Sequence, residues 1–298
     1  MAKRDYVLLI GNGVNNVTTD YSWDAMIDDL IVFTGTQTLV RKSKDKPFPL
    51  LYEEILAHAL KRALRSENEV KRFIAERLHT FQPNDVHQHL VSLSSQDILT
   101  TNYDHCLEHT LGHSALRENN DGVVQEKSYS LFRVAHCGAK RIWHIHGDYS
   151  HPRSIALGYE HYSGYLQHMR SYIATGTGKA YKREFAPLQK RIQNGSVEVY
   201  SWLDSFLTKD VLIIGLTLNY CEIHLWWLLT YRARLTNQGN SRIRNSVTFF
   251  IPDIYTANTR DRLELMKSLG VTVGSFPYDR KNRAASYDYL IKRVRARL

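Results

Sequence analysis

Tyr6-Val7-Leu8-Leu9-Ile10-Gly11-Asn12-Gly13 is an unbroken apolar run that stops at a glycine pair. A strand with one face in water would alternate polar and apolar side chains; an unbroken run is instead suited to a parallel sheet covered on both faces. The same grammar recurs along the chain. Asp97–Thr101 stops at Asn102, Ile142–His146 at Gly147-Asp148, and Val211–Ile214 at Gly215. Val247–Ile251 stops at Pro252-Asp253, and Val271–Val273 leads to Gly274. About six such segments predict an α/β fold: a doubly wound, mostly parallel, Rossmann-like sheet.

Between the strands the apolar period changes to that of a helix. Trp23, Met26, Ile27, Leu30 and Ile31 share one face, as do Leu51, Ile55, Leu56, Ala59, Leu60, Ala63 and Leu64. Val70, Phe73, Ile74 and Leu78 follow, with Arg77 as a polar intruder. This is too much chain for one crossover, so residues 36–90 are expected to form a helical insertion. A second insertion is expected at 158–207, and the whole span 1–298 is expected to form a single domain. Both leave the sheet near strand carboxyl ends, where such folds build ligand crevices.

Composition narrows the class. With 43% hydrophobic and 23% charged residues among 298, the chain is ordinary globular protein rather than disordered. The longest apolar stretches, Val211–Leu216 and Leu225–Leu229, are too short to span a bilayer. Met1-Ala2-Lys3-Arg4-Asp5 runs directly into the first strand without a signal-peptide core. Cys106, Cys137 and Cys221 are too dispersed for a zinc ribbon or a disulfide framework, which suits a reducing, cytoplasmic setting. Of the net charge of +9, most sits at the end, where Arg280, Lys281, Arg283, Lys292, Arg293, Arg295 and Arg297 face one acid, Asp288. No aromatic–basic signature accompanies them, so a solvated helix face is expected ahead of nucleic-acid contact.

Four strand ends carry candidate chemistry. Gly11-Asn12-Gly13-Val14-Asn15 would let backbone N–H groups approach a pyrophosphate, although it lacks the third glycine of G-x-G-x-x-G. In Thr100-Thr101-Asn102-Tyr103-Asp104, Asn102 offers a donor and an acceptor to ribose hydroxyls or water, and Asp104 can orient a partner or cap a helix. In His144-Ile145-His146-Gly147-Asp148, the two histidines would share a strand face. A metal site lacking a third ligand, a general base at His146 and a structural histidine at 144 all remain open there. A metal-dependent nuclease using His144, His146 and Asp148 is the remotest reading. Gly215-Leu216-Thr217-Leu218-Asn219 again brings bare backbone, a hydroxyl and an amide to a strand end. Gly176-Thr177-Gly178-Lys179 is no P-loop: position 173 is Ile, Ala180 follows the lysine, and no strand precedes it.

Taken in order, these segments resemble the sirtuin-like family. The likeness is closer to the sirtuin-like domains of prokaryotic anti-phage systems, which show Thr-Thr-Asn-Tyr-Asp, His-Gly-Asp and Gly-x-Ser-Leu. This chain has Thr100–Asp104, His146–Asp148 and Gly215–Leu218 in those places, with His87 upstream, Trp23–Met26 and Leu157–Tyr162 also in keeping. The resemblance implies an NAD hydrolase that releases nicotinamide and ADP-ribose and drains NAD as a defence effector causing abortive infection. It implies His146 as base, Asn102 fixing ribose and water, and Asp104 in support. Gly11, Asn12, Gly13, Asn15, Thr101, Gly147, Gly215, Thr217 and Asn219 would bind the substrate.

NAD would be substrate rather than cofactor. No zinc is expected, because the four-cysteine module of deacylating sirtuins cannot be built here. Control is expected from homo-oligomerisation and from a partner such as a HerA-like ring ATPase or a prokaryotic Argonaute. The alternative is a catalytically silent NAD-binding subunit. A second departure is Tyr220, where relatives often place an acid.

Overall fold

The computed structural model describes residues 5–19, 21–112, 118–119, 128–178, 183–239 and 242–297. Residues 1–4, the Lys179 end of the glycine-rich 176–179 stretch, part of the expected 158–207 insertion and Leu298 lie outside them. The strands are β1 (Tyr6–Ile10), β2 (Asp97–Thr100), β3 (Glu118–Asn119), β4 (Val134–Cys137), β5 (Lys140–His144), β6 (Asp210–Ile214), β7 (Val247–Pro252) and β8 (Val271–Phe276). They form one eight-stranded sheet ordered β3-β4-β5-β2-β1-β6-β7-β8.

From β5 to β8 every pairing is parallel. Numbered along the chain, these six strands run 3-2-1-4-5-6, the doubly wound order whose switch point lies between β1 and β6. Val7 pairs with Asp97 on one side, and Tyr6 with Asp210 on the other. All six expected strands are therefore present. Beyond these six, β4 pairs antiparallel with β5 and carries β3 at the sheet edge, neither of which an apolar run announces. The largest boundary shifts are at β5, which spans Lys140–His144 and leaves His146 on the following turn, and at β8, which runs through Gly274 to Phe276.

Alternate side chains of the central strands feed opposite cores, as the period of two requires. Val7, Leu9, Leu99, Trp143, Val211 and Phe249 join one cluster, while Tyr6, Leu8, Ile10, Ile98, Ile142 and Phe250 join the other. The first face is covered by α6 (Tyr159–Arg170), α7 (Leu188–Asn194), α8 (Trp202–Thr208), α9 (Ile223–Asn237) and α10 (Arg260–Ser268). The second is covered by α4 (Asp85–Val91), α5 (Cys106–Thr110) and α11 (Arg283–Arg295). The remaining helices, α1 (Trp23–Phe33), α2 (Phe48–Lys61) and α3 (Glu67–Leu78), build a third core. That core takes in Tyr103, Ile155 and Leu157 from the loops after β2 and β5, so it sits over the carboxyl ends of the strands.

The basic carboxy-terminal segment folds as α11. Tyr287, Leu290, Ile291 and Val294 are buried, and Lys292, Arg295 and Arg297 face solvent. Among the described residues no helix is long and apolar enough to cross a membrane.

Candidate active site

At the switch point the loops after β1 and β6 press together. The Gly11 N–H donates to Ile214 O (2.9 Å) and the Gly13 N–H to Gly215 O (2.9 Å). A Cβ on Gly11 would lie 2.1 Å from Leu216 Cδ1 and 2.6 Å from Gly215 O, and one on Gly13 would lie 2.6 Å from the Tyr287 hydroxyl. Only glycine allows so close an approach. The β6 loop is strained as well, since Leu218 takes a positive φ of 49° while its side chain is buried. That conformation turns its neighbours Thr217 and Asn219 toward solvent space.

The space is a cavity of about 590 Å³ beside this seam. Its wall includes Asn12, Gly13, Thr101, His146, Gly215, Thr217 and Asn219, drawn from the ends of β1, β2, β5 and β6. Asn102 and Asp104 line an adjoining pocket of about 30 Å³, with Tyr21, Tyr103 and Phe81. The two spaces share Asn12, Ser22, Trp23 and Thr101 as walls. Three of the sequence-derived residues stand behind these walls. Gly11 packs on Leu216, Asn15 is buried in a hydrogen-bond network, and Gly147 (φ 87°) abuts Ser154.

The network around Asn15 fixes the first two loops to each other. The Asn84 N–H donates to His87 Nδ1 (3.1 Å), which leaves the proton of the neutral ring on Nε2. His87 Nε2 then donates to Asn15 Oδ1 (2.9 Å), and Asn15 Nδ2 donates to Asp104 Oδ2 (2.6 Å) and to Asn12 Oδ1 (3.0 Å). Burial holds the His87 pKa below its ordinary value, consistent with a neutral ring. Asp104 Oδ1 also accepts the Cys106 N–H (3.0 Å) at the start of α5. Asp104 thus both caps and supports.

Asn102 is held from below and free above. Its N–H donates to Thr100 Oγ1 (3.0 Å), and Oδ1 is buried with no hydrogen-bond partner among the described residues. A buried acceptor in that condition calls for water or a ligand hydroxyl.

His146 faces His224 from the first turn of α9, with 2.8 Å between the two Nε2 atoms. Both Nδ1 atoms are buried without a partner among the described residues. Burial pushes the His146 pKa down to about 3 and the His224 pKa well below its ordinary value, His146 adding to the latter. Both rings are therefore neutral. Tyr162 stacks on His224 at 5.2 Å between centroids.

His144, two residues away, is engaged differently. Its Nδ1 donates to Asn102 O (2.8 Å) and its Nε2 meets Glu108 Oε1 at 2.6 Å. Burial opposes its charge, but the Glu108 carboxylate wins and carries the pKa up to about 9. Asp148 is buried against His105 (3.4 Å) and Arg133 (3.2 Å). His144 and Asp148 of the nuclease reading are thus engaged by other partners, and among the described residues no group of three His, Cys, Asp or Glu side chains is placed to hold a metal ion.

These strand ends now admit comparison with known families. Residues 96–227 match the family model of the SIR2-like domain. The SIR2-like stretch runs from the residue before β2 into α9, so it holds Asn102, His146, Thr217 and His224 but not the glycine loop after β1. It supports a sirtuin-like, NAD-related character for this part of the chain. No curated protein matches the chain.

Several cavity residues escaped the sequence. Glu222 lines the wall, and burial pushes its carboxyl up to about 7 against the pull of Arg262. Tyr220 is 57% exposed, and the acid of this loop comes two residues later, at Glu222. Arg262 donates to Asn219 Oδ1 (2.7 Å) from α10, and Tyr255, Tyr278, Tyr287 and Arg283 close the far side beyond β7 and β8. His224 lay hidden within the apolar run Ile223–Leu229; its one signal was a polar residue on the buried face shared with Leu225, Leu228 and Leu229.

Proposed function

We propose that the chain binds NAD across the switch-point cavity and hydrolyses its nicotinamide–ribose bond to nicotinamide and ADP-ribose. One observation carries this reading: all four sequence-derived strand ends contribute wall to one cavity or its adjoining pocket, within a size range usual for small-molecule sites. The SIR2-like match over 96–227 adds support. In this reading the diphosphate lies along Gly13 and Gly215, where the bare backbone of both loops allows close approach. The ribose lies toward Thr101 and Asn102.

Breaking the bond leaves the pyridine electrons on nicotinamide and an oxocarbenium-like ribose. A water oriented by Asn102 attacks the anomeric carbon, and its proton passes to His146 and then to solvent. The neutral state of His146 keeps a lone pair available at neutral pH. The expected setting is defence: depletion of NAD on a trigger, with oligomerisation and a protein partner such as a HerA-like ATPase or an Argonaute holding it off beforehand.

Nicotinamide release from NAD by the purified chain, alone and with candidate partners, tests this. Release lost in both Asn102→Ala and His146→Ala supports the hydrolase; release that survives both refutes the site. The second reading, NAD binding without turnover, is favoured by one feature, the engagement of His146 Nε2 by His224. Saturable NAD binding with no nicotinamide in any condition would select it.

A further inference from the structure

The hydrolase reading requires His146 to accept a proton, and the structure restricts where. Its Nε2 is occupied by His224 Nε2, so Nδ1 is the nitrogen left for a reacting group. Two neutral imidazoles joined Nε2 to Nε2 hold one proton between those atoms. If that proton sat on His224, the His146 Nδ1 would carry its own hydrogen and have no lone pair to offer. If it sits on His146, Nδ1 is bare and can accept a proton. The tautomer therefore decides whether His146 is a base at all.

We propose that His224 is a positioning residue that accepts the His146 Nε2–H and so keeps the lone pair of His146 on Nδ1. This rests on the hydrolase reading for its kinetic consequence, though not for its structural content. The surroundings make the arrangement rigid. Tyr162 lies nearly parallel to the His224 ring (12°), Tyr165 packs edge-on against it (5.4 Å, 81°), and both histidines are essentially without solvent contact. When Nδ1 takes the proton of the attacking water, His146 becomes an imidazolium whose Nε2–H already points at a lone pair. His224 then shares the charge without rearranging, and deprotonation by solvent restores the pair. No other reactant is needed.

Two measurements test it. The first compares NAD turnover in the whole chain, with whatever partner wild type requires, in His224→Phe and His224→Gln. Phenylalanine keeps the stacking but accepts no hydrogen bond, whereas glutamine can accept one. The expected result is a fall in kcat of about 10- to 100-fold in His224→Phe, the range seen when the partner that orients a metal-ligating histidine is removed. KM should stay within about twofold, and His224→Gln should regain most of the loss. Unchanged kcat in His224→Phe, or a glutamine variant no better than phenylalanine, would overturn the proposal.

The second is long-range nitrogen–proton NMR of histidine-labelled wild type, with His146→Gln used to assign the signal. His146 should read as protonated on Nε2 and bare on Nδ1, and the opposite tautomer refutes the proposal even if every variant folds poorly. A wild-type chain that releases no nicotinamide overturns the hydrolase reading instead, and the tautomer still answers for His224.

Discussion

His144 and His146 stand two residues apart at one strand end, equally buried, yet they live in opposite electrostatic worlds. Around His144 the chain has placed a carboxylate, Glu108, and a backbone carbonyl, so the ring is held charged. Around His146 it has placed another imidazole and the ring of Tyr162 but no carboxylate, so burial holds the ring neutral. Residue type and burial are the same in both places. The neighbour decides the protonation state, and with it whether a histidine braces a loop or offers a lone pair to a cavity.

The sharpest way to separate the two is by activity. His146→Ala and Asn102→Ala are expected to lower nicotinamide release by about 10²- to 10⁴-fold, the usual worth of a general base or its companion. His144→Gln should leave kcat within a few-fold and act on thermal stability, because His144 holds the Asn102 carbonyl from behind.

Stability separates them next. Glu108→Gln removes the carboxylate from a buried pair and is expected to cost about 3 kcal/mol, lowering Tm by roughly 6–12 °C.

The pH dependence should carry two limbs of opposite sign. A group kept neutral by burial stabilises the fold above its unfolded pKa of about 6.5 and loses that contribution as pH falls toward 3, because the unfolded chain binds the proton first. Between pH 6.5 and 5 His146 alone should account for about 2 kcal/mol, and chemical denaturation of His146→Phe should show a flatter acid limb. The raised pKa of His144 acts the other way. Its contribution is full below about 6.5 and is lost as pH climbs through 9, so Glu108→Gln should flatten the alkaline limb.

A smaller effect tests the seam below the cavity. Gly11→Ala forces a methyl group into Leu216 and the Gly215 carbonyl, and should cost about 1–2 kcal/mol by denaturant titration. Smallest of all, Lys292→Ala on the exposed face of α11 breaks the Lys292–Asp288 ion pair (2.6 Å) and should shift stability by no more than about 0.5 kcal/mol.

Much of this was legible in the sequence, for a physical reason. Strands buried on both faces must be continuously apolar, so Tyr6–Ile10 and Val211–Ile214 announced themselves, and their stop signals named the loops that meet at the switch point. The edge was not legible. Val134-Ala135-His136-Cys137, between β5 and the two-residue edge strand β3, is four residues long and carries an exposed histidine that breaks the apolar run. In the site, residues adjacent to strand ends were readable because a polar group after an apolar run stands out. Glu222 and Arg262 reach the cavity, and His224 reaches His146, from helices α9 and α10 and their lead-in, where position around a helix rather than order along the chain places them.

The topology also sets a timetable. Strand β1 pairs with β2 on one side, but its other neighbour is β6, so Tyr6 must wait for Asp210 to be synthesised before that edge can close. Contacts so distant along the chain are late and slow to form. The cavity lies on this seam, with Gly13 on one bank and Gly215 on the other. A growing chain on the ribosome therefore carries its histidines and asparagines for a long while before it has anywhere to use them. If the proposed hydrolysis is its activity, the fold would postpone it until translation has passed β8, because Tyr278, Arg283 and Tyr287 also close the cavity.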